Sequence, residues 1–98
     1  MAPSPNLLFE PADLGPLRLK NRFIKAATFE GMTPGGVPSQ RLTDFHCRIA
    51  KGGVAMTTLA YCATEPDGRL FDHAMYLHRG IEKQLRRLVD AVHDAGAL

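Results

Sequence analysis

The residues best suited to chemistry lie in one stretch, Leu14 to Met32, with the sequence LGPLRLKNRFIKAATFEGM. Gly15-Pro16 is a turn dipeptide, and Leu17, Leu19 and the apolar pair Phe23-Ile24 follow it. Two small residues, Ala26-Ala27, then lead into a polar loop rich in glycine. Apolar strand, small residues, then loop is the pattern a barrel needs where it lays a flat cofactor on a strand end. Other reactive side chains are scattered. His46, His73, His78 and His93 show no metal-ligand spacing. His46 and His93 read as helix-surface or core-edge residues, and His73 and His78 as loop residues near the mouth of a site. Glu30 reads as a solvated loop carboxylate or, more sharply, as a group that orients a substrate. Met32 with Gly31, Gly35 and Gly36 reads as a mobile lip or a plain surface loop. Cys47 and Cys62 fit neither a redox pair nor a zinc knuckle and read as free thiols in a cytoplasmic chain.

Size and charge exclude several classes of function. A chain of 98 residues makes at most one small domain, burying about 65% of the unfolded surface. A net charge of +2 with scattered basic residues does not describe a nucleic-acid binder, and Arg86-Arg87 is better explained as a solvated helix face. No segment approaches the roughly 20 apolar residues that span a bilayer. The leading residues MAPSPNLLFEP lack the charged start and apolar run of a secretory signal.

Four elements must position the ledge. Residues 22–27 read as a first strand and 39–51 as a helix with Ser39 as N-cap. Leu42, Phe45, Ile49 and Ala50 form one face of that helix, and Gly52-Gly53 ends it. Val54 to Ala60 is apolar without alternation, as in a strand covered on both faces of a parallel sheet. A long loop with the turn Glu65-Pro66-Asp67-Gly68 leads to a second helix over 81–95. Its stripe is Ile81, Leu85, Leu88, Val89 and Val92, and Gly96 caps it. Strand, helix, strand, helix implies βαβ units with right-handed crossovers. Two such units leave sheet edges bare, so the chain reads as the opening part of a larger α/β fold, with Ala97-Leu98 starting a third strand.

These segments together resemble the start of the old yellow enzyme family, FMN-dependent NAD(P)H:flavin oxidoreductases built on a (β/α)8 TIM barrel. The resemblance rests on Leu8-Phe9-Glu10-Pro11, on Leu14-Gly15 with Leu17 to Arg22, and on Gly35-Gly36-Val37-Pro38. It continues through Gly52-Gly53 to Pro66-Asp67-Gly68-Arg69 and through Leu88 to Gly96. It implies an N-terminal β-hairpin over about 12–22, a first βα unit over about 22–51 and a second over about 53–96. It also implies that Ala26, Ala27, Thr28 and Phe29 lie against the flavin ring, with Tyr61 contacting it from the second strand end. Both ends belong to the C-terminal face where such barrels place their sites. Arg22 then reads as a structural arginine at the barrel floor.

The implied reaction takes a hydride from NAD(P)H to FMN and on to an activated alkene or similar small-molecule acceptor. The substrate-binding pair, the proton donor and the FMN phosphate site of such enzymes lie on later strands, so no catalytic or metal-binding residue is assigned here. A homo-oligomer is compatible with this reading. The competing reading is a self-contained α/β module that pairs with a partner or a sister chain through its open edges. Two positions depart from the family pattern. Phe29 stands where a hydroxyl or thiol usually bonds the flavin carbonyl, and Tyr61 stands where alanine is frequent. The Thr28 hydroxyl, one place earlier, points to the opposite side of an extended segment.

Overall fold

The computed structural model describes residues 6–98, so the reading of Met1–Pro5 concerns positions outside the described residues. The chain opens with a 3-10 turn at Leu7–Phe9 and a hairpin of β1 (Ala12–Leu14) and β2 (Leu17–Leu19). Ala12 pairs with Leu19 and Leu14 with Leu17, leaving Gly15-Pro16 as a two-residue turn. Gly15 takes φ +57°, as the first centre of such a turn requires.

β3 (Ile24–Lys25) runs parallel to β4 (Met56–Thr57), Ile24 opposite Met56 and Lys25 opposite Thr57. The Ala55 amide donates to Phe23 O at 3.0 Å, which lengthens the paired stretch. On the far side of β4, Leu98 N–H donates to Ala55 O and Leu98 O accepts from Thr57 N–H, each at 2.9 Å. These two bonds set Leu98 beside β4 in the pattern of parallel pairing, at the position where a third strand is expected. The described residues form an α/β fold of two βα units with a hairpin before them.

Parallel strands need a crossover, and α1 (Gln40–Lys51) and α2 (Glu82–Asp94) supply the two. Ser39 Oγ accepts from the Leu42 amide at 3.2 Å and donates to Met32 O at 2.6 Å, fixing the start of α1. Gly53 at φ +109° ends it. Leu42, Ala50, Leu88, Val92 and Ala97 form the core between helices and sheet, with Met32, Val54 and Leu59 packed against it. The buried line along α1 is Leu42, His46 and Ala50, with Phe45 and Ile49 half-buried at its margins. The apolar pattern pointed to the latter pair because the central position of the stripe is a histidine. Ile81 just before α2 and Leu88 and Val92 on it are buried as expected, while Val89 is exposed.

Three local readings change. The anchoring side chain in the Lys20-Asn21-Arg22 turn is Asn21, which donates to Gly53 O at 2.6 Å and accepts from the Phe23 amide at 3.0 Å. It ties the start of β3 to the end of α1. Arg22 is exposed, and its backbone amide bonds Leu8 O. The stretch after Tyr61 is not only loop, because β5 (Cys62–Ala63) pairs in parallel with β6 (Met75–Tyr76). Two-residue strands carry no periodicity to read.

The loop after β3 is strapped down rather than free. Thr33 is buried and its hydroxyl donates to His73 O, while Gly36 lies beneath Tyr76. A Cβ on Gly36 would stand 2.8 Å from the Tyr76 ring, and its φ is +77°. Gly36→Ala is expected to lower stability by about 1–3 kcal/mol in urea unfolding. Gly35→Ala, with φ +70° but nothing within 4 Å, should cost less.

Candidate functional site

β3 ends at Lys25, whose Nζ reaches forward along the chain and donates to Ala26 O at 2.8 Å and Thr28 Oγ1 at 3.1 Å. The ammonium also stands 5.7 Å from the centre of the Phe45 ring. With Lys25 on the wall side, Ala26, Ala27 and Thr28 lie exposed, forming a small-residue ledge at the C-terminal end of the strand. The Thr28 hydroxyl is thereby turned to the lysine.

Phe29 turns elsewhere. Its ring stacks on Tyr61 at 5.5 Å between centroids and 8° between planes, and on Phe71 at 4.6 Å and 22°. Such contacts contribute about 0.5–1.5 kcal/mol each beyond the area they cover. Tyr61 follows β4 in the chain, so the stack joins the two strand ends. Tyr61 is 42% and Phe71 51% exposed, so the rings form an apolar wall beside the ledge with surface still open. The two positions that depart from the family pattern therefore meet each other. Phe71 was not legible beforehand, since nothing in its spacing links it to Phe29.

Glu30 and His46 are neither solvated nor at the core edge. Their side chains are 2% and 1% exposed, and Glu30 Oε1 accepts from His46 Nε2 at 3.0 Å. Thr57 Oγ1 lies 2.7 Å from His46 Nδ1. A carboxylate only accepts, so Nε2 carries the proton and Nδ1 accepts from the Thr57 hydroxyl. The neutral imidazole satisfies both contacts. Burial accordingly pulls the His46 pKa below 6.5, against the opposing pull of the hydrogen bond and charge of Glu30, with Lys25 adding to the depression. His46 was hidden because one histidine among apolar residues looks like a surface position. Its spacing of four from both Leu42 and Ala50 was the available signal.

The loop histidines have structural tasks. His78 Nδ1 accepts from the Gly80 amide at 3.1 Å, and its ring lies 4.3 Å from that of Tyr76. His73 is exposed, and its carbonyl receives Thr33. His93 is exposed on α2. Cys47 and Cys62 are free thiols. Among the described residues no group of three His, Cys, Asp or Glu side chains could hold a metal ion. No described helix is long and apolar enough to cross a membrane.

Exposed small residues and flat rings thus lie side by side where β3 and β4 end. The profile of the NADH:flavin oxidoreductase / NADH oxidase family matches residues 7–98. The chain belongs to that family. It is 54% identical over 97 residues to the 4,4'-dithiodibutanoate disulfide reductase of Rhodococcus erythropolis, covering 99% of this chain and 24% of the relative. It is 33% identical over 92 residues to a metal reductase of Desulforamulus reducens, covering 94% of this chain and 14% of that protein.

Among solved structures, 2-naphthoyl-CoA reductase in complex with 2-naphthoyl-CoA superposes with a TM-score of 0.89 at 25% identity, over 94% of this chain and 14% of that one. Morphinone reductase in complex with tetrahydroNAD gives 0.82 at 25% identity, over 92% and 24%. The chain thus spans a quarter or less of these relatives' lengths. The old yellow enzyme resemblance read from the motifs and the family match agree, and the two βα units are those of the family's TIM barrel.

The His46 environment sets a pH dependence. Its folded pKa lies below 6.5 while the unfolded chain titrates near 6.5, so the unfolded state binds more protons as pH falls. This stabilisation is complete above about pH 6.5 and is lost as pH drops through the folded value. Stability measured by denaturant between pH 7.5 and about 5 should fall in the native chain and fall less in His46→Gln. A His46 titration by NMR at or above 6.5 would contradict the assignment.

Proposed function

We propose that this chain supplies one wall of the flavin site in an FMN-dependent NAD(P)H oxidoreductase, with hydride delivered to an activated alkene or similar small acceptor. The observation that supports it most is the meeting of the two strand ends. Exposed Ala26, Ala27 and Thr28 lie next to Phe29, whose ring stacks on Tyr61 at 5.5 Å. Ala26, Ala27, Thr28 and Phe29 would hold the ring through their backbone, and Tyr61 would close its side. A bound flavin would supply the hydride chemistry, and the protein positions it and tunes its electronics. The residues here do the positioning. Small side chains at Ala26 and Ala27 let the backbone approach, and Lys25 keeps the Ala26 carbonyl and Thr28 hydroxyl occupied on the wall side. The aromatic wall would cover one edge of the site.

In this reading the substrate-binding pair, the proton donor and the phosphate site come from later strands of the barrel. The relative at 54% identity is named for reducing a disulfide, so a disulfide joins the activated alkene among acceptors to test.

The full-length gene product should carry one FMN per chain by its visible absorbance, whereas residues 1–98 alone should bind FMN weakly. A colourless full-length product contradicts the reading. Phe29→Thr should make the FMN potential more positive, because a hydroxyl donating to the ring carbonyl stabilises the electron-rich reduced ring. An unchanged potential in that variant would show that Phe29 does not occupy the tuning position.

A further inference from the structure

Glu30 leaves the backbone one residue after Phe29 and turns the other way, into the wall behind the ledge. There it meets His46 of α1, which meets Thr57 of β4, at 3.0 and 2.7 Å. Ionisable groups so deeply buried bring little stability that a well-packed apolar set could not match. What they bring is direction. Thr57 can only donate to Nδ1 once Nε2–H donates to Glu30, so each link fixes the orientation of the next. The three residues come from the ledge loop, the first helix and the second strand, and the chain of hydrogen bonds ties them together at one place. At the other end of the ledge Lys25 Nζ holds the Ala26 carbonyl and the Thr28 hydroxyl. Ala27 and Phe29 lie between these two fixed points.

We propose that the buried Thr57–His46–Glu30 chain is the positioning device of the ledge, setting the placement of Ala26–Phe29 toward the flavin. Glu30 and His46 are positioning residues and do not touch reactants. The consequence for the flavin rests on the functional reading above, whereas the pinning of the segment does not. Charged or titratable groups around His46 are Glu30 from its own loop and Lys25 from β3, with His93 of α2 bordering the same shallow hollow.

The test is hydrogen–deuterium exchange on the full-length gene product, comparing the native chain with His46→Leu and His46→Gln. A glutamine amide can donate to Glu30 and accept from Thr57, so it serves as the rescue. In His46→Leu, amides over 26–31 should exchange about tenfold faster, the scale of one lost buried hydrogen bond, while those of α1 and α2 keep their protection. His46→Gln should restore most of it. In the flavin-loaded protein the visible spectrum should shift in His46→Leu and return in His46→Gln.

Unchanged exchange over 26–31, or a rise spread equally over both helices, overturns the proposal. A colourless native protein defeats the flavin reading but leaves the exchange comparison decisive. Should His46→Leu fail to fold, Glu30→Gln keeps an acceptor for Nε2–H and removes the carboxylate. It should loosen 26–31 by a smaller factor and shift the flavin spectrum, and no change in either overturns the proposal.

Discussion

Parallel pairing around β4 is the constraint on which the rest of this structure depends. With β3 on one side and Leu98 on the other, the strands point the same way, so their C-terminal ends reach one face. Each return to the opposite end needs a helix, and both helices must bury an apolar stripe against the sheet. The core of Leu42, Ala50, Leu88, Val92 and Ala97 meets that demand. Because the ends coincide, residues 32 apart in sequence, Phe29 and Tyr61, come to share a stack. The shared stack is a consequence of the topology before it is a property of any side chain.

Behind the ledge, the wall is polar where a barrel wall is ordinarily apolar. Lys25 and Thr57 are paired in the ladder and serve the two ends of the same short segment. Thr28, Phe29 and Glu30 then turn in succession to the lysine, to the aromatic wall and to the histidine. Three successive side chains of the segment are thus each held by a partner outside it. This accounts for a loop that keeps a defined course although its own residues are small and exposed.

Much of this was legible in the sequence. Ser39 and Gly53 mark the ends of α1 through chemistry that acts within a few residues, and both function as read. The run of small exposed residues after β3 was legible because strand, small pair and loop follow one another directly. His46 and Glu30 were misplaced because their burial depends on each other across the fold, and a lone polar residue gives no sign of its partner. Phe71, β5 and β6 were missed for a related reason, since their contacts are non-local and too short to carry a period. Arg22 drew notice by its charge, while the neighbouring Asn21 makes the two bonds that hold the turn.

In the proposed flavin site the ends of β3 and β4 together face the ring. Differential hydrogen exchange of the full-length gene product, with FMN bound and after its removal, tests it most directly. The account requires loss of protection on FMN removal at residues 26–29 and around Tyr61, with the α1–α2 core unchanged. FMN-dependent protection confined to other parts of the protein, with 26–29 and Tyr61 indifferent, would contradict it.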